Sequence, residues 1–295
     1  QVVLGGTTGA NKSFMAMQMG MSIANNEKEF LGFKINVGGL KVLYCDTECG
    51  ENVLVDRFQS LMKLYNWKNT NFNLLTKDST SSSIYDELEA HMVNLKPDIV
   101  IIDCLYNTTD GADISKNHHL VPILNRITKL KEVHHCTIIA VSHMNKGGHE
   151  QGLVIDRISG GSVLQNWSEH IIQLTRTNES NTRLLRIGKS RHIDYPDCYY
   201  EIEWNSNKKE LINRGIQSNW KELMITTDKK KNWNMILHDL SDEFSKIDFK
   251  NVVCNIRGNS ERTATNWISD MLRCGIIEKI KHGQYKKKLE IRGKE

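Results

Sequence analysis

No C-x-x-C pair occurs among the seven cysteines, which stand singly at positions 45, 49, 104, 136, 198, 254 and 274. That spacing argues against a structural zinc site or a dithiol redox centre. Scattered thiols, odd in number, in a chain of 295 residues point instead to reduced cysteines in a cytoplasm. Long apolar runs are also missing: stretches such as Ile99-Val-Ile-Ile102 are strand-sized, far below the ~20 residues of a membrane helix. No signal-like apolar segment opens the chain. It starts at Gln1, without Met, and enters Val2-Val-Leu4 directly, which implies further sequence upstream. Internal repeats and low-complexity tracts are lacking apart from the polar loop Ser79-Thr-Ser-Ser-Ser83. With 39% hydrophobic and 25% charged residues, disorder, collagen and coiled coil are excluded. The length accommodates one large domain with a small appendage, or two domains.

Charge is distributed unevenly. Residues 228–295 hold 15 basic and 10 acidic side chains, a net +5, whereas residues 1–227 hold 24 and 25, a net −1. In the tail, Lys279, Lys281, Lys286, Lys287, Lys288, Arg292 and Lys294 face only Glu290 and Glu295 along the sequence, a strip suited either to phosphate contacts or to plain solvation.

Over the first two hundred residues, short β-branched runs alternate with helical stretches. The runs are Val2–Leu4, Lys41–Cys45, Ile99–Asp103, Thr137–Ser142, His170–Thr175, Arg183–Ile187 and Tyr199–Trp204. Such alternation predicts βαβ units around a mainly parallel sheet, with helices over Ser13–Asn25 and Asn117–His134. The last three runs have no long helix between them and are expected to extend the sheet as antiparallel hairpins.

The first strand leads into Gly5-Gly-Thr-Thr-Gly-Ala-Asn-Lys-Ser13 and a helical run from Phe14. This fits G-x-x-x-x-G-K-[ST] except at Asn11, where the pattern has glycine, and Asn is the residue that best tolerates positive φ in its place. Gly6, Thr7, Thr8, Gly9, Ala10, Asn11, Lys12, Ser13 and Phe14 are thus the candidate phosphate-binding segment. Backbone N–H groups at the helix start can surround phosphates, Lys12 can reach the β and γ oxygens, and Ser13 can ligate Mg2+. Asp103, after four apolar residues, is the second magnesium-side carboxylate. Lys41–Glu48 ends another strand on Asp46 and Glu48, of which Glu48 is favoured as the base that activates water and Asp46 is the alternative. Thr137–His143 brings Ser142 and His143 to the same sheet edge, where His143 either senses the γ-phosphate or is a loop histidine with local partners. The pairs His118-His119 and His134-His135 lack ligand partners at metal spacing.

These motifs resemble those of the RecA-like ATPases, nearest to the RepA-type and DnaB-type hexameric replicative helicases of plasmids and mobile elements, over residues 1 to about 204. The resemblance implies a RecA-like α/β fold, ATP and Mg2+ as ligands, and Glu48 as catalytic base. It makes Ala140-Val-Ser-His-Met-Asn-Lys146 a γ-phosphate-sensing motif and places the segment from Lys146 to Arg157 near a DNA-lined central channel. In Leu185-Arg-Ile-Gly-Lys-Ser-Arg191 it makes Lys189 and Arg191 fingers that reach a neighbouring subunit's nucleotide in a hexamer.

Residues 232–295 follow a linker over 205–231. They show helical patterns at Trp233–Leu240 and Phe249–Ile256, an amphipathic helix ending at Arg273, and a basic hairpin turning at His282-Gly283. That order resembles a winged helix. The resemblance makes Arg262, Thr263, Asn266, Lys281, Lys286, Lys287 and Lys288 candidates for contacts to double-stranded DNA. The expected function is an ATP-hydrolysing DNA motor in replication; the alternative is an ATP-dependent DNA-binding regulator or helicase loader with slow hydrolysis.

Overall fold

The computed structural model describes residues 1–67, 71–76, 83–108, 117–145, 152–224, 233, 236–256, 261–273 and 275–288. The chain divides into two compact units, Gln1–Ile225 and Thr226–Glu295. The first contains, in order, β1 (Val2–Gly6), α1 (Lys12–Ala24), β2 (Glu29–Phe30), β3 (Phe33–Lys34), β4 (Val42–Asp46), α2 (Glu51–Tyr65), β5 (Phe72–Thr76), α3 (Ile84–Leu95) and β6 (Ile99–Asp103). It continues through α4 (Asn117–His134), β7 (Thr137–His143), α5 (Gly161–Trp167), β8 (His170–Arg176), β9 (Thr182–Ser190), β10 (Tyr200–Asn205), β11 (Glu210–Ile216) and α6 (Trp220–Leu223).

Nine strands form one sheet in the order β11-β10-β9-β8-β1-β7-β6-β4-β5. The six from β8 to β5 run parallel, and β9, β10 and β11 are added antiparallel. This is the mixed, mostly parallel α/β sheet of a RecA-like P-loop fold. The expected antiparallel hairpins run from β8 through β9 to β10, while β8 itself joins the sheet parallel to β1. The loop and α5 that precede β8 carry the chain back across the sheet, as a parallel neighbour requires. The sheet also runs past 204 into the stretch read as linker, because β11 pairs with β10 from Asn205↔Glu210 to Tyr200↔Ile216. Both β11 and β5 escape a search for β-branched runs because polar residues interrupt them.

Alternating side chains of the parallel strands feed two cores. Val3, Leu43, Val100, Ile102 and Ile138 pack on the face covered by Leu88 and Met92 of α3 and Leu124 and Ile127 of α4. On the other face, Leu4, Val42, Tyr44, Ile101 and Val141 meet Met17 and Met21 of α1 and Leu54 and Leu61 of α2. Burial on both faces is what makes these strands nearly continuous in apolar residues. At Gly20 in α1, a Cβ would lie 2.8 Å from Ile101 and 2.9 Å from Phe72, so any side chain there would force those side chains to shift for the helix to seat against the sheet. No helix among the described residues is long and apolar enough to cross a membrane.

The second unit holds β12 (Glu243–Ser245), α7 (Lys246–Asn251), a π turn over Val252–Ile256, α8 (Glu261–Arg273), β13 (Ile277–Lys281) and β14 (Gln284–Lys287). Its sheet has the order β12-β14-β13. Ser245 caps α7 in a capping box with Asp248. Ala264, Trp267, Ile268 and Met271 of α8 bury against Phe244, Phe249 and Tyr285. Gly283, at φ 73°, turns the β13–β14 hairpin.

Candidate nucleotide site

Parallel register gathers the site. Gly6 lies opposite His143, and Asp46 lies opposite Asp103, so β1, β7, β6 and β4 deliver their functional residues at their carboxyl ends, where open α/β sheets bind ligands. The loop after β1 is stapled to β8. The Thr7 amide donates to Leu174 O (3.2 Å), and Thr7 Oγ1 lies 3.1 Å from Thr175 Oγ1 and accepts from the Arg176 amide (3.3 Å). Gly6 is obligatory, because a Cβ there would come within 2.5 Å of Leu174 O.

Gly9 and Asn11 both take left-handed backbone conformations, with φ 72° and 68°. Asn11 thus adopts the geometry for which glycine is the usual choice, and its side chain is held: Arg183 Nε donates to Asn11 Oδ1 at 2.9 Å. Arg183 is buried and also donates to the carbonyls of Ser180 and Thr182. Neither this arginine nor Arg176, whose side chain passes beside Gly9, carries a signal in the sequence. They reach the loop through the β8–β9 pairing, from more than half the chain away.

Thr8 and Gly9 are exposed, while Ala10 is buried at the root of the loop. Phe14, in the first turn of α1, sets its ring against Trp204, 4.8 Å between centroids, and under the Arg57 guanidinium. Lys12 is buried. Its Nζ donates to Thr7 O (3.1 Å) and lies 3.4 Å from His143 Nδ1. Burial holds the Lys12 pKa below its usual value, although Asp103 and Glu48 pull it upward. His143 is lowered as well, first by burial and then by Lys12.

Asp103 sits at the floor. Tyr44 Oη and the Ser13 side chain hydrogen-bond to it, while its Oδ1 is buried without a partner. Burial pushes its pKa up. Asp46 accepts from the amides of Glu48 (2.9 Å) and Cys49 (2.6 Å), its Oδ2 is buried and unpartnered, and burial lifts its pKa to about 6. These bonds make Asp46 the residue that shapes the turn after β4 and leave Glu48 exposed at its tip. A hydroxyl beside a carboxylate with one buried, unsatisfied oxygen is a donor set that fits Mg2+, a hard cation that takes oxygen ligands. Ser13 and Asp103 are the residues that would hold it.

Lys189 and Arg191 lie elsewhere. The β8–β9 pairing runs from Arg183, opposite Arg176 at the loop end of β8, to Ser190, opposite His170 at its other end, so the pair sits about 20 Å from the loop edge at ~3.3 Å per residue. Lys189 Nζ donates to Gln165 O (2.5 Å) and Ser168 O (2.7 Å), and Arg191 to Asn166 O (2.8 Å), all at the carboxyl end of α5. Cations belong there because the helix end exposes unpaired carbonyls.

The expected DNA contacts fare unevenly. Lys146 lies outside the described residues, as do the side chains of Arg262 and Thr263. Arg157 needs correcting: it is buried and donates to Gly152 O at 2.8 Å, so it braces its loop instead of offering charge to a channel. Asn266 and Lys281 are exposed. The basic strip is more neutralised than its sequence neighbours imply, because folding brings Glu243 to Lys286 (3.8 Å), Asp242 to Lys287 (3.6 Å) and Glu278 to Lys288 (3.7 Å).

Comparison with known proteins agrees with this geometry. Residues 1–149, half of the chain, match the AAA domain family. The chain is similar to the DNA repair and recombination protein RadB of Methanosphaera stadtmanae, at 25% identity over 191 residues, covering 62% of this chain and 78% of that one. It is likewise similar to the RadB of Methanobrevibacter smithii, at 22% identity over 223 residues, covering 72% and 84%. A glycine-rich loop, a lysine and serine at the start of α1, and buried carboxylates on the neighbouring strand ends accord with that match, and the chain belongs to the AAA domain family as a RecA-like P-loop ATPase.

Proposed function

We propose that the protein hydrolyses ATP at the boundary between subunits of a homo-oligomeric ring, a hexamer by its resemblance to replicative helicases, and couples that hydrolysis to work on DNA. The observation that carries the reading is the split of charge across the sheet. Lys12, Ser13, Asp103 and Glu48 share one edge, whereas Lys189 and Arg191 stand at the other, too far to serve their own loop, which supports a role toward a neighbour's.

Within the site, the loop amides and Lys12 bind the phosphates and Glu48 takes a proton from the attacking water. Mg2+, when bound by Ser13 and Asp103, neutralises charge building on the phosphoryl oxygens. His143, in contact with Lys12, reports the state of the γ-phosphate to the loop that follows β7. Lys189 and Arg191 exchange their carbonyl partners on α5 for phosphate oxygens across the boundary.

DNA as the partner is supported by the likeness to RadB, a DNA repair and recombination protein. A replication motor of a mobile element is the finer reading, with single-stranded DNA in the ring. Within the second unit, residues 232–295 are read as a winged helix that contacts double-stranded DNA through α8 and the hairpin. Its support is the element order and the pairing of β12 with β14 beside β13, the arrangement expected of that module. Exposed Asn266 and Lys281 remain the best placed of the described contact residues. A regulator or helicase loader with slow hydrolysis is favoured by the ion pairs on Lys286, Lys287 and Lys288, which weaken a nonspecific phosphate grip. Strand displacement separates the two readings.

Subunit mixing tests the boundary. Lys12→Ala and Arg191→Ala are each expected to be inactive, while a one-to-one mixture should recover about a quarter of wild-type turnover, since about one site in four then combines an intact loop with an intact finger. A mixture as inactive as its components contradicts the shared site.

A further inference from the structure

The turn after β4, the residue after Asp103 and the end of β7 meet in a second, chemically different cluster. One ligand atom each of Glu48, Cys104 and His143 lie within 4.8 Å of one another. Cys104 Sγ is 3.9 Å from His143 Nε2. Its position is fixed from both sides of its backbone: the Cys104 amide donates to Thr47 Oγ1 (3.0 Å), and Thr47 Oγ1 donates to Cys104 O (2.9 Å). Cys104 is buried, His143 half-buried, and Glu48 exposed at the mouth, so the cluster has rigid inner ligands and an open outer side.

Thiolate, imidazole and carboxylate form the three-ligand set of an open zinc site; the Cys104–His143 spacing is near that across a bound ion, and the exposed Glu48 side chain must close the remaining gap. The thiolate and imidazole are poor ligands for Mg2+, whose preferred hydroxyl and carboxylate oxygens are supplied by Ser13 and Asp103. We propose that Glu48, Cys104 and His143 bind one Zn2+ and that the ion switches the ATPase off by taking Glu48 out of use as a base. When the Cys104 sulfur–zinc bond forms, the thiol proton passes to solvent. Coordination through His143 Nε2 puts the ring proton on Nδ1, and Lys12 keeps Thr7 O as its acceptor. The inhibitory effect rests on Glu48 being the base; the metal binding does not.

Co2+ serves as the spectroscopic probe for the metal alone. Titrating the full chain with Co2+ should give a thiolate-to-cobalt charge-transfer band that saturates at one equivalent. The band should be lost in Cys104→Ser and in His143→Gln but kept in Cys49→Ser, whose thiol is outside the cluster. In parallel, one equivalent of Zn2+ should lower ATP turnover about tenfold or more in the presence of excess Mg2+, with recovery on chelation and no effect on Cys104→Ser. A wild-type protein without the band, or a band that survives Cys104→Ser, overturns the site. Zinc inhibition that is equal in wild type and Cys104→Ser overturns the switch. A Cys104-dependent band with turnover indifferent to Glu48→Gln keeps the metal site and removes Glu48 as base.

Discussion

Replacing Glu48 with Gln should leave ATP binding within about twofold of wild type while lowering turnover by about 10²–10⁴, the range a positioned general base contributes. The turn geometry is why binding survives. Asp46 Oδ1 holds the amides of Glu48 and Cys49, so the backbone is set without the Glu48 side chain, which is exposed at the tip. Gln keeps its size and loses only its basicity. A fluorescent nucleotide titration beside a phosphate-release assay separates the two effects. Normal turnover in Glu48→Gln would transfer the base to Asp46 or to another group. Asp46 is the poorer candidate, because one of its oxygens is committed to two amides and the other is buried.

Replacing Lys12 with Ala should affect binding and chemistry together. Its ammonium is the cation the loop supplies to the β and γ oxygens, and losing one preorganised donor of this kind costs about 10²–10³ in rate. The substitution also removes the methylenes packed beside Gly6, the donor to Thr7 O and the neighbour of His143, so the loop loses an internal tie. The same titration and phosphate assay should show weakened binding and turnover at background, with an unchanged circular dichroism spectrum. Tight binding with undiminished turnover would mean that the loop does not hold phosphates.

Both predictions use residues that local sequence order makes visible. A strand, a glycine-rich loop, Lys-Ser and a helix follow one another without interruption, and Asp103 ends an apolar run buried on both faces, so the fold class can be read from periodicity and the loop from its motif. Register does the rest: side chains about 40 to 130 residues apart meet because parallel strands align their carboxyl ends. What escapes the sequence is long-range or depends on solvent exposure. The bond from Arg183 that steadies Asn11 in its left-handed conformation has no local signature. Arg157, in a polar, glycine-containing stretch, gives no sign that its guanidinium turns inward. The lysines of the hairpin look unopposed along the chain, yet Asp242 and Glu243 arrive from β12 and the residue before it, a short strand that three residues cannot announce. The polar positions of β5 and β11 hide sheet strands for the same reason, since edge and near-edge strands need not be apolar throughout.

The central claim is that this P-loop site works within an assembly that responds to DNA, and ATP turnover measured with and without single-stranded DNA, alongside light-scattering mass on the same samples, tests it most directly. The account predicts an oligomer whose turnover rises when single-stranded DNA is added. A monomer in both samples, with hydrolysis indifferent to DNA, would contradict it.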